Sequence, residues 1–209
     1  KIKICGMKFS ENIKDISCFC PDFMGFIFYE NSKRLVTDSF QELNLQSIPP
    51  AVKKVGVFVN QSFKEIMQKA IDYKLDYVQL HGQETIDLLE SLKQKNIKII
   101  KAFGISNSFD FETLKKFENI CDYFLFDTLT SSYGGSGKIF NWKILENYHL
   151  KTPFFLSGGL GMENLESLIH FKHEKLIGFD FNSKLEIASG FKDPKQTKMI
   201  IENIRNEKF

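Results

Sequence analysis

Cys5 closes an Ile2-Lys3-Ile4 run, and Asp127 closes a Phe124-Leu125-Phe126 run. Both residue types can move protons. A thiol has an ordinary pKa of roughly 8.5, which nearby cations or a helix N-terminus lower, and its thiolate is a nucleophile or a base. A carboxyl at the end of an apolar strand is a candidate general acid or base. Each also has a plainer reading, a buried structural cysteine for the first and an N-cap or loop anchor for the second. In one cleft they would form an acid–base pair.

Other polar residues follow apolar runs in the same way. His81 and Gly82 come after Val78-Gln79-Leu80, and Arg34 ends the polar turn Ser32-Lys33-Arg34. His81 is either a hydrogen-bonding pocket residue or a satisfied structural imidazole. Arg34 is either a solvated charge or a two-pronged grip for a carboxylate. Gly158-Gly159 and Asn182-Ser183 follow the last two apolar runs. Glycine there lets backbone N–H groups approach a phosphate closely. The segment Tyr133 to Lys138, with Gly135 and Gly137, has the composition of a phosphate-cradling loop. It fails the Walker pattern, because Ser132 and Ile139 stand where Gly and Ser or Thr are required, and it also fails the dinucleotide pattern. By itself it reads as an active-site flap or a flexible connection.

Short β-branched or aromatic runs alternate with longer stretches whose apolar residues fall three and four apart. Strands are expected at 1–5, 24–29, 54–59, 77–80, 97–103, 123–127, 154–157 and 176–181. Helices are expected at 62–73, 85–95, 108–119, 163–171 and 194–204, with weaker ones at 12–18, 38–45 and 141–146. Asp193 and Pro194 suit the N-cap and first position of the last helix. The count of eight strand–helix units favours a single-domain (β/α)8 barrel over residues 1–209. The alternative is a doubly wound open sheet. Both architectures bind ligands at the carboxyl ends of their strands, where all these candidates lie.

Composition limits the partners. The 28 basic and 26 acidic residues leave a formal net charge of +2, too small a cationic field for nucleic-acid binding. No apolar run approaches the length of a membrane span, and the first residues carry no leader pattern, so a cytoplasmic location is expected. The four cysteines, Cys5, Cys18, Cys20 and Cys121, form no zinc-ligand series and are expected to be reduced.

Several motifs occur together in order. They are Lys3-Ile4-Cys5-Gly6, Gly25-Phe26-Ile27-Phe28 with Ser32-Lys33-Arg34, Val78-Gln79-Leu80-His81-Gly82 with Glu84, and Leu125-Phe126-Asp127. Then follow Gly134-Gly135-Ser136-Gly137-Lys138 with Phe140 and Trp142, Phe155-Leu156-Ser157-Gly158-Gly159-Leu160 with Asn164, and Ser189-Gly190-Phe191-Lys192-Asp193-Pro194. With these motifs the chain resembles the phosphoribosylanthranilate isomerase family of tryptophan biosynthesis along nearly its whole length. The resemblance implies a cofactor- and metal-independent barrel that turns an aminoaldose phosphate into an aminoketose phosphate. It implies Asp127 as the acid that opens the ribose ring, Cys5 as the base at C2, and Arg34 as the holder of the anthranilate carboxylate. The phosphate is assigned to Gly158, Gly159, Asn182 and Ser183, with the loop of Gly135 and Gly137 closing over it, and His81 to the pocket. The family's second phosphate loop usually reads Ser-Ser-Gly, so Lys184 is a departure, expected to strain a left-handed backbone. Asn141, in place of a common Asp, is expected to serve as a helix cap. The expected partner is a small-molecule substrate, and the chain is expected to be a monomer or homodimer. The competing readings are the related barrel isomerase of histidine biosynthesis, which uses two aspartates, and a non-catalytic sugar-phosphate-binding barrel.

Overall fold

Eight strands pair in parallel and in chain order: β1 (Ile2–Ile4), β2 (Phe23–Ile27), β3 (Lys53–Phe58), β4 (Tyr77–Leu80), β5 (Lys98–Ile105), β6 (Tyr123–Thr128), β7 (Phe154–Leu156) and β8 (Leu176–Phe181). β8 returns to β1, with Lys3 opposite Asp180, and closes a barrel. The computed structural model describes residues 1–129 and 139–206. Each strand lies within a residue or two of its expected place, and the open sheet is excluded by closure.

Parallel neighbours need crossovers, and most of these are helical. The α-helices are α1 (Ser10–Ser17), α2 (Phe63–Asp72), α3 (Ile86–Gln94), α4 (Leu165–His170) and α5 (Pro194–Asn206). α2 begins with a reciprocal cap, in which Ser62 Oγ accepts from the Glu65 N–H at 3.3 Å and Glu65 Oε2 accepts from the Ser62 N–H at 2.8 Å. α5 starts as expected, with Asp193 Oδ1 accepting from the Lys195 and Gln196 N–H groups.

Two expected α-helices are 3₁₀ helices instead, Phe111–Phe117 and Trp142–Asn147. The sequence contains the reason. Phe111, Leu114 and Phe117 are spaced by threes, as are Trp142, Leu145 and Tyr148, and a turn of three residues places such side chains in line against the barrel. Asn141 caps the second of these, accepting from the Lys143 N–H. The helix expected at 38–45 is a series of turns that ends with Asn44 at φ 55°, followed by a 3₁₀ turn at Leu45–Ser47. The helix expected at 163–171 divides into a 3₁₀ turn, Met162–Asn164, and α4. An antiparallel pair that the sequence did not suggest, β9 (Glu186–Ala188) with β10 (Phe191–Lys192), follows β8.

Strand alternation divides the interior in two. Ile2, Ile4, Phe124, Phe126, Phe179 and Phe181 face the helices, in the large outer core. Phe23, Val55, Tyr77, Ile100, Leu125 and Phe155 face inward and fill the barrel floor, with Phe23 edge-on to Tyr77 and Phe155. The same parity turns Lys3 and Cys5 inward on β1, and Asp127, Ser157 and Asp180 inward above that floor. Among the described residues no helix is long and apolar enough to cross a membrane.

Candidate active site

Cys5 sits just beyond β1, 3% exposed, on the inward side with Lys3. Lys3 is fully buried, and its Nζ donates to Asp180 Oδ1 at 2.9 Å and also reaches the Cys5 thiol. Ser157 Oγ donates to Asp180 Oδ2 at 3.3 Å. A buried charge is tolerated when it is paired and hydrogen-bonded, as both members of this pair are. Burial is the largest influence on the thiol and pushes its pKa up, against the partial pull of Lys3 in the other direction. Burial also drags the Lys3 ammonium down, but Asp180 and Cys5 more than offset it, so Lys3 stays charged.

Asp127 is the penultimate residue of β6, three strands around the ring from β1, with β7 and β8 between them. Its Oδ1 accepts the Thr128 N–H at 2.7 Å. Burial pushes its pKa up from 3.8 to about 6, with Asp180 adding to the rise and Thr128 and Lys3 opposing it. His81 Nε2 lies 3.7 Å from Asp127 Oδ2. Burial, then the charges of Lys101 and Lys3, hold the imidazole down to about 4, so it is neutral at neutral pH and acts as a polar neighbour rather than as a cation. Behind it, Lys101 and Glu84 form a buried ion pair at 3.0 Å, and Glu84 accepts the N–H groups of Gly82 and Asn60, which fixes the loop after β4.

Arg34, in the loop after β2, gives both Nε and Nη2 to Glu186, at 2.7 and 2.6 Å. Burial pushes the Glu186 carboxyl up, but Arg34 and Lys192 together hold it down at about 2. Arg34 and Asn182 meet over Gly6, where a Cβ would stand 2.7 Å from Arg34 Cδ and 2.6 Å from Asn182 Oδ1. Gly6 has φ 74°, so the corner after Cys5 demands glycine in two ways.

The strand-seven loop is glycine for similar reasons. Gly158 and Gly159 have φ of 92° and 64°, and a Cβ on Gly158 would stand 2.9 Å from Asp127 Oδ1. Asn164 pins the loop by accepting the Gly161 N–H and donating to the Gly159 carbonyl. Asn182 turns its side-chain oxygen to Lys192 Nζ at 2.7 Å, and Ser183 opens a 3₁₀ turn. Lys184 lies in that turn without a positive φ, so the expected backbone strain is absent. Its ammonium pairs with Glu163 at 2.5 Å. Gly135 and Gly137 lie outside the described residues.

Thus Cys5, Arg34, His81, Asp127, Gly158, Gly159, Asn182 and Ser183 all gather at one rim. Sequence reasoning missed Lys3, Asp180, Glu186 and Lys192. Lys3 and Asp180 were legible as charges within apolar strands, in Ile-Lys-Ile and Phe-Asp-Phe. Among the described residues no group of three or more His, Cys, Asp or Glu is placed to hold a metal ion.

The fold and rim define a (β/α)8-barrel protein whose buried acids and thiol are disposed for proton transfer. The family model described as N-(5'phosphoribosyl)anthranilate (PRA) isomerase matches residues 2–203. A relative of that name from Parabacteroides distasonis is 45% identical over 206 residues, covering 97% of this chain and 92% of the relative. The crystal structure of phosphoribosyl anthranilate isomerase from Thermotoga maritima is similar with a TM-score of 0.85 at 36% identity, covering 99% of this chain and 98% of that one. A phosphoribosyl anthranilate isomerase solved with reduced 1-(o-carboxyphenylamino)-1-deoxyribulose 5-phosphate gives 0.82 at 32% identity, covering 99% and 98%. The chain belongs to the N-(5'-phosphoribosyl)anthranilate isomerase family. Its reaction is that family's isomerisation in tryptophan biosynthesis, on a small-molecule substrate.

Proposed function

We propose that Asp127 and Cys5 are the acid and base of this isomerisation, an Amadori rearrangement. The observation that supports the assignment is their common rim, where both couple to one buried pair, Lys3–Asp180. Asp127 gives its proton to the ribose ring oxygen as the C1–O bond breaks, and the nitrogen lone pair forms an iminium. The iminium acidifies the C2 hydrogen. The Cys5 thiolate takes that proton, and the C–H electrons become the C1–C2 double bond of an enolamine. Proton transfer from the C2 hydroxyl to C1 then gives the ketone, so atoms and electrons balance without a redox partner.

The reactive form carries a protonated Asp127 and a thiolate at Cys5. Because the thiol is pushed up and the carboxyl titrates at about 6, this form is a minor but constant fraction between the two pKa values. The charge of Lys3 favours it on the thiolate side.

Arg34 grips the anthranilate carboxylate with the N–H groups that Glu186 leaves free, and His81, neutral, orients Asp127. The backbone around Gly158, Gly159, Asn182 and Ser183 takes the phosphate, with the segment of Gly135 and Gly137 over it. The chain works as one barrel domain without a cofactor, in the cytoplasm, as a monomer or homodimer. Cys5→Ala and Asp127→Asn test the assignment. Each well-folded variant should lose at least about a hundredfold in kcat, followed by the loss of substrate fluorescence. Near-normal turnover in either would refute its role. Alkylation of Cys5 should inactivate the enzyme, with protection by substrate. Inactivation that instead tracked labelling of Cys18, Cys20 or Cys121 would point to another thiol.

A further inference from the structure

The Arg34 guanidinium is held by a residue of β9, outside the eight barrel strands. Glu186 Oε1 accepts from Arg34 Nε at 2.7 Å, Lys192 Nζ at 2.8 Å and the Gly190 N–H at 2.9 Å, while Oε2 accepts from Arg34 Nη2 at 2.6 Å. Lys192 is itself fixed. It is fully buried, its Nζ donates to Asn182 Oδ1 at 2.7 Å, and its backbone exchanges two hydrogen bonds with the Asn12 side chain, at 2.7 and 2.8 Å. The β9–β10 pair thus holds a carboxylate that accepts four hydrogen bonds from anchored donors, three on Oε1 and one on Oε2.

Two consequences follow from the donor inventory. Of the five N–H groups of a guanidinium, Glu186 takes two, on the Nε/Nη2 side. The Nη1/Nη2 edge is left, with its plane fixed, and that edge matches a second carboxylate. The charges of Arg34, Glu186 and Lys192 sum to one positive charge, which one incoming carboxylate neutralises. Without Glu186 the guanidinium would keep its charge but lose its orientation.

We propose that Glu186, set by Lys192, is a positioning residue that makes the site select an aryl group bearing a carboxylate. This rests on the assignment of Arg34 as the carboxylate grip. It also links the two ends of the substrate site, since Lys192 joins Glu186 to Asn182 on the phosphate side.

The test compares two ligands, reduced 1-(o-carboxyphenylamino)-1-deoxyribulose 5-phosphate and its counterpart without the carboxyl group, by their dissociation constants. Arg34→Gln should bring the ratio of the two close to one, and a ratio left intact there would remove the reading of Arg34 and this proposal with it. Glu186→Gln should cut the ratio by about tenfold while the affinity for the ligand lacking the carboxyl stays within about threefold. Glu186→Asp, which keeps the charge but withdraws the fork by one methylene, should move the ratio in the same direction. A ratio preserved in both Glu186 variants, or an equal loss of both ligands, would overturn the proposal while leaving the role of Arg34 in place. Wild-type enzyme gives a check independent of variant folding. In its crystal structure with the carboxylated ligand, both Arg34–Glu186 contacts should persist, and an Arg34 that leaves Glu186 for the ligand would contradict the proposal.

Discussion

A Cβ placed on Gly25 would stand 2.7 Å from the Sγ of Cys5. Gly25 faces inward on β2, and its missing side chain is the space the thiol occupies. Such an approach is closer than carbon and sulfur tolerate, so in Gly25→Ala the thiol must turn or β2 must shift. The variant should fold with a loss of about 1–3 kcal/mol, and its kcat should fall at least about tenfold with KM little changed. Unaltered kcat in a folded variant would show that the thiol position does not limit the reaction.

Asp127 carries a stability cost that its removal should reveal. Its pKa is raised from 3.8 to about 6 in the folded chain, so between these values the folded state binds more protons than the unfolded state and stability falls as pH rises. At 1.36 kcal/mol per pKa unit this amounts to about 3 kcal/mol above pH 6. Asp127→Asn keeps an acceptor for the Thr128 N–H and removes the charge. Urea unfolding should show the variant more stable than wild type at pH 8 by up to this amount, with the difference vanishing below about pH 4. A difference that did not change with pH would contradict the raised value.

Asp180 and Lys3 act on the thiol with opposite signs, the carboxylate raising its pKa and the ammonium lowering it. Asp180→Asn removes the first and frees the second. The pH at which iodoacetamide labelling of Cys5 is half-maximal should therefore move down, read by mass spectrometry of the labelled peptide. An upward move or none would mean that burial alone governs the thiol.

Lys184 is held by Glu163 on an exposed surface, where a pair contributes roughly 0–1 kcal/mol. Lys184→Gly should then change inhibition by inorganic phosphate by less than about threefold, equally at low and high salt. A larger loss confined to low salt would make Lys184 a phosphate cation in spite of its ion pair.

Much of this arrangement is readable from the chain. Apolar runs such as Tyr77-Val78-Gln79-Leu80 mark the strands, and the residue after each run marks the rim, as Cys5, His81, Asp127 and Asn182 do. What stayed hidden has two physical causes. The partners of Lys3, Lys101 and Lys192 are invisible in the sequence, because only the fold brings Asp180, Glu84 and Glu186 to them from 177, 17 and 6 residues away. Glu186 lies on a three-residue strand paired with a two-residue one, too short for any alternation to register. The 3₁₀ helices are legible in kind but not in pitch, since the threefold spacing of Phe111, Leu114 and Phe117 suits an α-helix as well.

The division of labour between Cys5 and Asp127 is tested most directly by substrate deuterated at C2 of the ribose, followed in single turnover. Replacing the thiol by a hydroxyl that does not ionise at neutral pH, in Cys5→Ser, makes removal of the C2 proton the slow step, so a full primary isotope effect should appear. Asp127→Asn slows ring opening, which precedes C–H cleavage, so the isotope effect there should shrink toward one. The reverse pattern, a large effect in Asp127→Asn and none in Cys5→Ser, would contradict the assignment of base and acid.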